Sequence, residues 1–126
     1  MSEKKRLGEW IQTYTGKAFW PLDPKAEDVC IEDIAHALAN KCRFSGHTAD
    51  FYSVAQHSVI VSKNCDPNDA LWGLLHDASE AYLVDLPKPL KILPEFKWFV
   101  SVENNVQKAI CEHFSLPEEQ PESTHV

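Results

Sequence analysis

The densest run of chemically capable side chains in the sequence is Leu74–Asp85, LLHDASEAYLVD. His76 and Asp77 are adjacent, so one backbone segment presents an imidazole and a carboxylate together. If the run is helical, His76 and Glu80 lie one turn apart on one face, and Asp77 neighbours Glu80 at i,i+3. Imidazole and carboxylate are ligands for first-row divalent cations. A nearby carboxylate outside the ligand set can then act on a metal-activated water.

An isolated His-Asp pair is weak evidence, because a histidine on an apolar face is commonly a hydrogen-bonded core residue. Here a second histidine stands upstream in VAQHSVIVS. His57 is flanked by Val54, Ile60 and Val61 at i−3, i+3 and i+4, which turns it to the buried side of a helix. A buried imidazole needs a partner. A cation shared with His76 and Asp77 is one way to supply it.

The elements that must position these residues follow from the rest of the chain. With 126 residues the chain is expected to form a single domain over 1–126. Hydrophobic residues make up 44% and charged residues 25%, as in an ordinary globular protein. A net charge of −7 opposes broad binding to a phosphate backbone, so no extended nucleic acid is expected as partner. It still permits a nucleotide in a local cationic pocket. No apolar run approaches the roughly 20 residues of a membrane span, and the N-terminus has no apolar signal region. The expected location is the cytoplasm. Cys30, Cys42, Cys65 and Cys111 form no CxxC pair or zinc-finger spacing and read as reduced, small apolar residues.

Residues 10–22, WIQTYTGKAFWPL, predict a short hairpin or extended arm strapped over the core, an aromatic lid being the alternative. Ile31, Ile34, Ala35, Leu38 and Ala39 predict a helix over 31–40, closed by Asn40-Lys41, with His36 on its solvated side. Residues 42–53, CRFSGHTADFYS, predict a loop carrying Arg43 and His47. Arg43 is suited either to a phosphate or to a helix-end ion pair. A helix over 54–63 carries His57. A second, with Asp66 as N-cap and Pro67 at its first position, is predicted to run to about Tyr82 with Leu71, Leu74, Leu75 and Ala78 inward. The short turn between them predicts antiparallel packing. The Asp85–Pro89 loop holds Asp85 and Lys88 at a helix end, and Lys88 and Lys91 offer positive charge. Residues 94–114 predict a last long helix with Phe99, Val102, Val106, Ala109, Ile110 and Phe114 buried and Glu103 in an ion pair. The acidic tail after it is predicted to fray.

His57 followed by His76-Asp77 resembles the HD-domain metal-dependent phosphohydrolases. Together, CRFSGH, YSVAQHS and LLHDASEAYLVDLPKPLK are similar to the small 5'-deoxynucleotidases and phage-type deoxynucleoside triphosphate hydrolases of that superfamily, over roughly residues 10–116. The resemblance implies an all-α HD-domain bundle with a short N-terminal arm or hairpin. It implies one divalent ion (Mn, Co, Fe, Ni, Zn or Mg) held by His57, His76 and Asp77. It also implies Glu80 and Asp85 as the carboxylates that serve the attacking water or the sugar-phosphate, Arg43 as the phosphate contact and His47 as an additional one; Lys88, read from the charge of its loop, joins them as a substrate-binding residue. The implied substrate is a deoxynucleotide 5'-monophosphate or triphosphate. The family's fourth ligand, an aspartate on a later helix, has no counterpart, since no Asp follows Asp85. A shortened C-terminus and a natural loss of the ligand both account for this. Either would expose apolar surface and favour a homo-oligomer. The rival expectations are a degenerate domain that binds metal or nucleotide without turnover, and an oligomerisation module.

Overall fold

The computed structural model describes residues 5–125 and shows an all-α fold with a short N-terminal hairpin. Strands β1 (Ile11–Gln12) and β2 (Ala18–Phe19) pair antiparallel, with Ile11 opposite Phe19 and Gln12 opposite Ala18. The hairpin is a strap, as its sequence predicts. Phe19 is fully buried and stacks on Tyr82, ring centroids 3.9 Å apart. The buried Asp33 carboxylate accepts hydrogen bonds from the Thr15 backbone N–H at 2.8 Å and its hydroxyl at 3.2 Å, tying the hairpin turn to the first helix. Arg6 anchors the chain before the strap. It pairs with Asp23 and Asp28, both at 3.1 Å, and lies over the Trp20 ring.

Helix α1 (Ile31–Ala39) buries Asp33, Ile34 and Leu38. Ile31, Ala35 and Ala39, expected on its inner stripe, are exposed. Capture of Asp33 by Thr15 turns the buried face toward the hairpin and leaves the small residues outside. His36 is solvated, and its ring stacks on Tyr14 with centroids 3.7 Å apart. The 42–53 loop is closed at its base by a Cys42–Ser53 bridge and by Val54 N–H to Lys41 O at 2.9 Å. Helix α2 (Val54–Asn64) then starts on a reciprocal cap: the Ser53 hydroxyl accepts from Gln56 N–H while Gln56 Oε1 accepts from Ser53 N–H.

The next segment departs most from expectation. In place of one helix to Tyr82 there is a 3-10 turn (Pro67–Asp69) and then helix α3 (Ala70–Leu75). A break follows at His76-Asp77, and a second 3-10 turn spans Ala78–Ala81. Trp72, rather than Leu71, faces inward. α2 and α3 run antiparallel, with His57 opposite His76 and the Ser62 hydroxyl bonded to Ala70 O at 2.7 Å. Gly73 permits the approach, because a Cβ there would sit 3.0 Å from Cys65 Sγ and 3.3 Å from Ser62 Cα.

A short helix α4 (Lys88–Lys91) follows the proline loop, and α5 (Lys97–His113) closes the core with Phe99, Val106, Ala109 and Ile110. The tail does not fray. Pro117 O accepts from the Trp72 indole N–H at 2.7 Å, the Ser123 hydroxyl donates to Asp69 at 2.6 Å, and Thr124 is buried. Its hydroxyls and carbonyls find partners at the start of α3, which composition alone does not reveal. Among the described residues no helix is long and apolar enough to cross a membrane. Phe19→Ala, which removes the aromatic half of the strap, is expected to destabilise the fold by about 3–5 kcal/mol, measured by urea denaturation.

Candidate metal centre

α2 and the break after α3 bring three donor atoms together. His57 Nε2 lies 3.2 Å from His76 Nε2, and Asp77 Oδ2 lies 3.5 Å and 3.0 Å from them respectively. Among the described residues this is a group with the composition and spacing to hold a metal. The circle through the three atoms has a radius of about 1.9 Å. A cation about 2.0–2.2 Å from each, the usual range for nitrogen and carboxylate ligands, therefore fits just off their plane.

The protonation pattern is compatible with ligation. His76 Nδ1 is 2.7 Å from Gly73 O, an arrangement in which the N–H donates to the carbonyl and the lone pair stays on Nε2. The separation between the two Nε2 atoms also suits a hydrogen bond from a His57 N–H to that lone pair, so proton and cation compete for one place. Burial, then the positive charge of Arg43, lowers the pKa of His57 and favours its neutral form. Burial works in the same direction on His76, but its hydrogen bond to Asp77, that carboxylate's charge and the Gly73 carbonyl raise it overall. Burial would raise Asp77, and the two histidines, with His76 foremost, hold it below its usual value.

The remaining residues expected at the site line one cleft of about 960 Å³ that reaches Asp77. Glu80 and Asp85 face it from the motif side, Arg43 and His47 from the 42–53 loop, and Lys88 from the start of α4. The expected helical relation of His76 and Glu80 is replaced by the break and the 3-10 turn, with Glu80 N–H bonded back to Asp77 O at 3.0 Å. Glu80 is buried, and its carboxyl is pushed up to about 9 by that burial and by the charges of Asp77 and Asp85. The Arg43 guanidinium rests over the Phe44 ring, 4.5 Å from its centroid. Lys91 is not free: it pairs with Glu103 at 2.9 Å, the ion pair expected for Glu103.

Three residues at this site were not singled out from the sequence. Phe44 is exposed at the cleft beside Arg43, with φ +56°. Lys41 reads as a helix-closing residue, yet its ammonium donates to Glu80 O and to Leu83 O, the latter at 2.9 Å. Burial lowers its pKa against the opposing charges of Glu80 and Asp85. Gln107 on α5 bonds the backbone on both sides of the break. Its place between Val106 and the polar face of α5 was the available signal.

No protein-family model matches the chain. It is 43% identical over 109 residues to an uncharacterized protein, YfdR, of Escherichia coli strain K12, covering 86% of this chain and 60% of that protein. It is 37% identical over 117 residues to an uncharacterized protein of Rhodobacter capsulatus, covering 86% of this chain and 59% of the other. The chain thus spans about three fifths of the length of the curated relatives it matches.

Lys41→Met leaves two backbone carbonyls beside the site without their donor. It is expected to cost about 1–3 kcal/mol in a denaturant titration, whereas Lys41→Arg retains part of the stabilisation.

Proposed function

We propose that the protein is an HD-type phosphohydrolase that uses a divalent metal to cleave deoxynucleotides, 5'-monophosphates or triphosphates. The observation that carries this reading is the convergence of His57 Nε2, His76 Nε2 and Asp77 Oδ2 next to a cleft walled by Arg43, His47 and Lys88. The motif resemblance supports it independently, through CRFSGH, YSVAQHS and LLHDASEAYLVDLPKPLK. A first-row divalent cation held by the three donors supplies Lewis acidity at the phosphoryl oxygen and acidity to a water.

The chain's own residues do the rest. The forked donors of Arg43 take two phosphate oxygens, and Lys88 and His47 add positive charge as the phosphate's charge shifts in the transition state. Glu80, three residues beyond Asp77 in the same cleft, has its carboxyl held up at about 9 by burial and by the charges of Asp77 and Asp85; the positive charge of a bound cation would offset those charges and let its carboxylate orient the water and accept its proton. Asp85 holds the water or the sugar-phosphate from the loop side. Attack at phosphorus forms the new P–O bond and breaks the phosphate-ester bond, the departing oxygen takes the proton that the water gave up, and phosphate, or a longer phosphate chain, is released. That all four cysteines are free supports a reducing compartment, the cytoplasm. Self-association is part of the proposal, supported by the exposed Ile92, Leu93 and Trp98 near the cleft.

A second reading, binding of metal or nucleotide without turnover, is favoured by one observation: the described residues supply three donors to the group. One experiment separates the two. Purified protein with Mn²⁺ or Co²⁺ is expected to release product from deoxynucleotides. His76→Ala should lower that rate at least about 100-fold, and Arg43→Ala should raise KM about 10- to 100-fold through loss of a charge-assisted contact. Saturable metal and nucleotide binding with no product supports the second reading. No product and no metal binding sinks both.

A further inference from the structure

If α3 continued through the motif, Ser79 N–H would donate to Leu75 O, as every α-helical i,i+4 pair does. The side-chain amide of Gln107 stands in that place instead. Its Nε2 donates to Leu75 O at 3.0 Å, and its Oε1 accepts from Ser79 N–H at 3.3 Å. One glutamine from α5 has been inserted into a single backbone hydrogen bond, and the three residues between that bond's ends are His76, Asp77 and Ala78. Insertion of a side chain into the ladder is a known cause of helix kinks. Beyond the insertion, Lys41 takes the carbonyls of Glu80 and Leu83, so the chain is held in its 3-10 path from the other side as well.

We propose that Gln107 is a positioning residue for the cation site: its amide, wedged between Leu75 and Ser79, keeps α3 open so that the adjacent side chains of His76 and Asp77 both face His57. The inference rests on the metal reading given above. The steric argument is direct. Successive side chains on an intact α-helix point about 100° apart, so a rewound helix would carry Asp77 away from His76 Nε2. Leu75 and Ser79 are both buried, at 1% and 5% exposure. With the wedge gone, Leu75 O and Ser79 N–H lose their partner together, and the pairing an α-helix would give them is with each other. Rewinding therefore repairs the backbone and disperses the donors.

This sets Gln107 apart from an ordinary structural hydrogen-bonding residue. A purely structural glutamine would lower stability when removed and leave cation affinity unchanged. A wedge does the reverse. The test is a Co²⁺ titration of the full chain, followed by visible ligand-field absorption, beside circular dichroism and urea denaturation of the same samples. Gln107→Leu is expected to stay folded with stability close to wild type, to bind Co²⁺ about 10- to 100-fold more weakly, and to show altered bands. Gln107→Glu keeps the acceptor for Ser79 but sets an oxygen against Leu75 O; it is expected to show intermediate weakening and serves if the leucine variant does not fold. Wild-type affinity and spectrum in both variants, with or without a loss of stability, overturn the wedge and leave the metal reading standing. A wild-type chain with no saturable Co²⁺ binding, indistinguishable from His76→Ala, overturns the metal reading and the positioning role with it.

Discussion

An α-helix cannot aim two adjacent side chains at one point, and this constraint organises the centre of the molecule. His76 and Asp77 come within 3.0 Å of each other through Nε2 and Oδ2 because the helix stops at Leu75 and resumes as a tighter turn at Ala78. Every broken helix releases backbone donors and acceptors that must be paired again when they are buried. Here the pairing is distributed. Gln107 comes from α5, Lys41 from the end of α1, and Gly73 O is taken up by the His76 ring itself. The local geometry of the three donors therefore depends on contacts from residues about thirty or more positions from the His76-Asp77 break on either side. A site built in this way forms only when the whole domain has folded.

The same segment also carries the core. Leu75, Ala78 and Tyr82 are buried, and they alternate along the chain with the polar residues His76, Asp77 and Glu80. Tyr82 receives the Phe19 ring from the hairpin, and Leu75 and Ala78 pack in the cluster that includes Ile34, Val54 and Ile110. Polar and apolar faces are thus two sides of one short stretch of backbone. Shifting the register of the turn to suit the donors would pull apolar side chains out of the interior, and repacking the interior would move the donors. Gly73 fixes the remaining degree of freedom by letting α3 lie close against Ser62 and Cys65 of the α2 end.

How much of this the sequence revealed follows from the range of the interactions. The hairpin, α1, α2 and α5 could be read from local signals: the Thr-Gly and aromatic run over 10–22 for the first, and helical apolar spacing for the others. The residues His57, His76 and Asp77 could be picked out because their types are unusual on apolar faces, and the structure brings them together. The break was not legible, because the periodicity of Leu71, Leu74, Leu75 and Ala78 suits a continuous helix and the side chain bonded across the break, Gln107, lies about thirty residues on. The burial of Asp33 and the docking of the tail on Trp72 and Asp69 were hidden for the same reason, since each depends on a partner far along the chain. Patterns within one or two turns can be read directly. Single polar contacts between distant segments cannot.

Charge imposes one more relation on the proposed chemistry. The chain carries −7 overall, and the inner end of the cleft is acidic, with Asp77, Glu80 and Asp85 lining it. A phosphate entering such a space meets repulsion that Arg43, His47 and Lys88 at the rim offset only in part, because Lys91 is already committed to Glu103. Two added positive charges at the His57–His76–Asp77 group would reverse the sign of the potential there. In the proposed reaction a dication held by His57, His76 and Asp77 would supply the positive charge that lets an anion into an acidic recess. On that reading metal and nucleotide binding would be linked, each strengthening the other by the same factor, as reciprocal binding equilibria require.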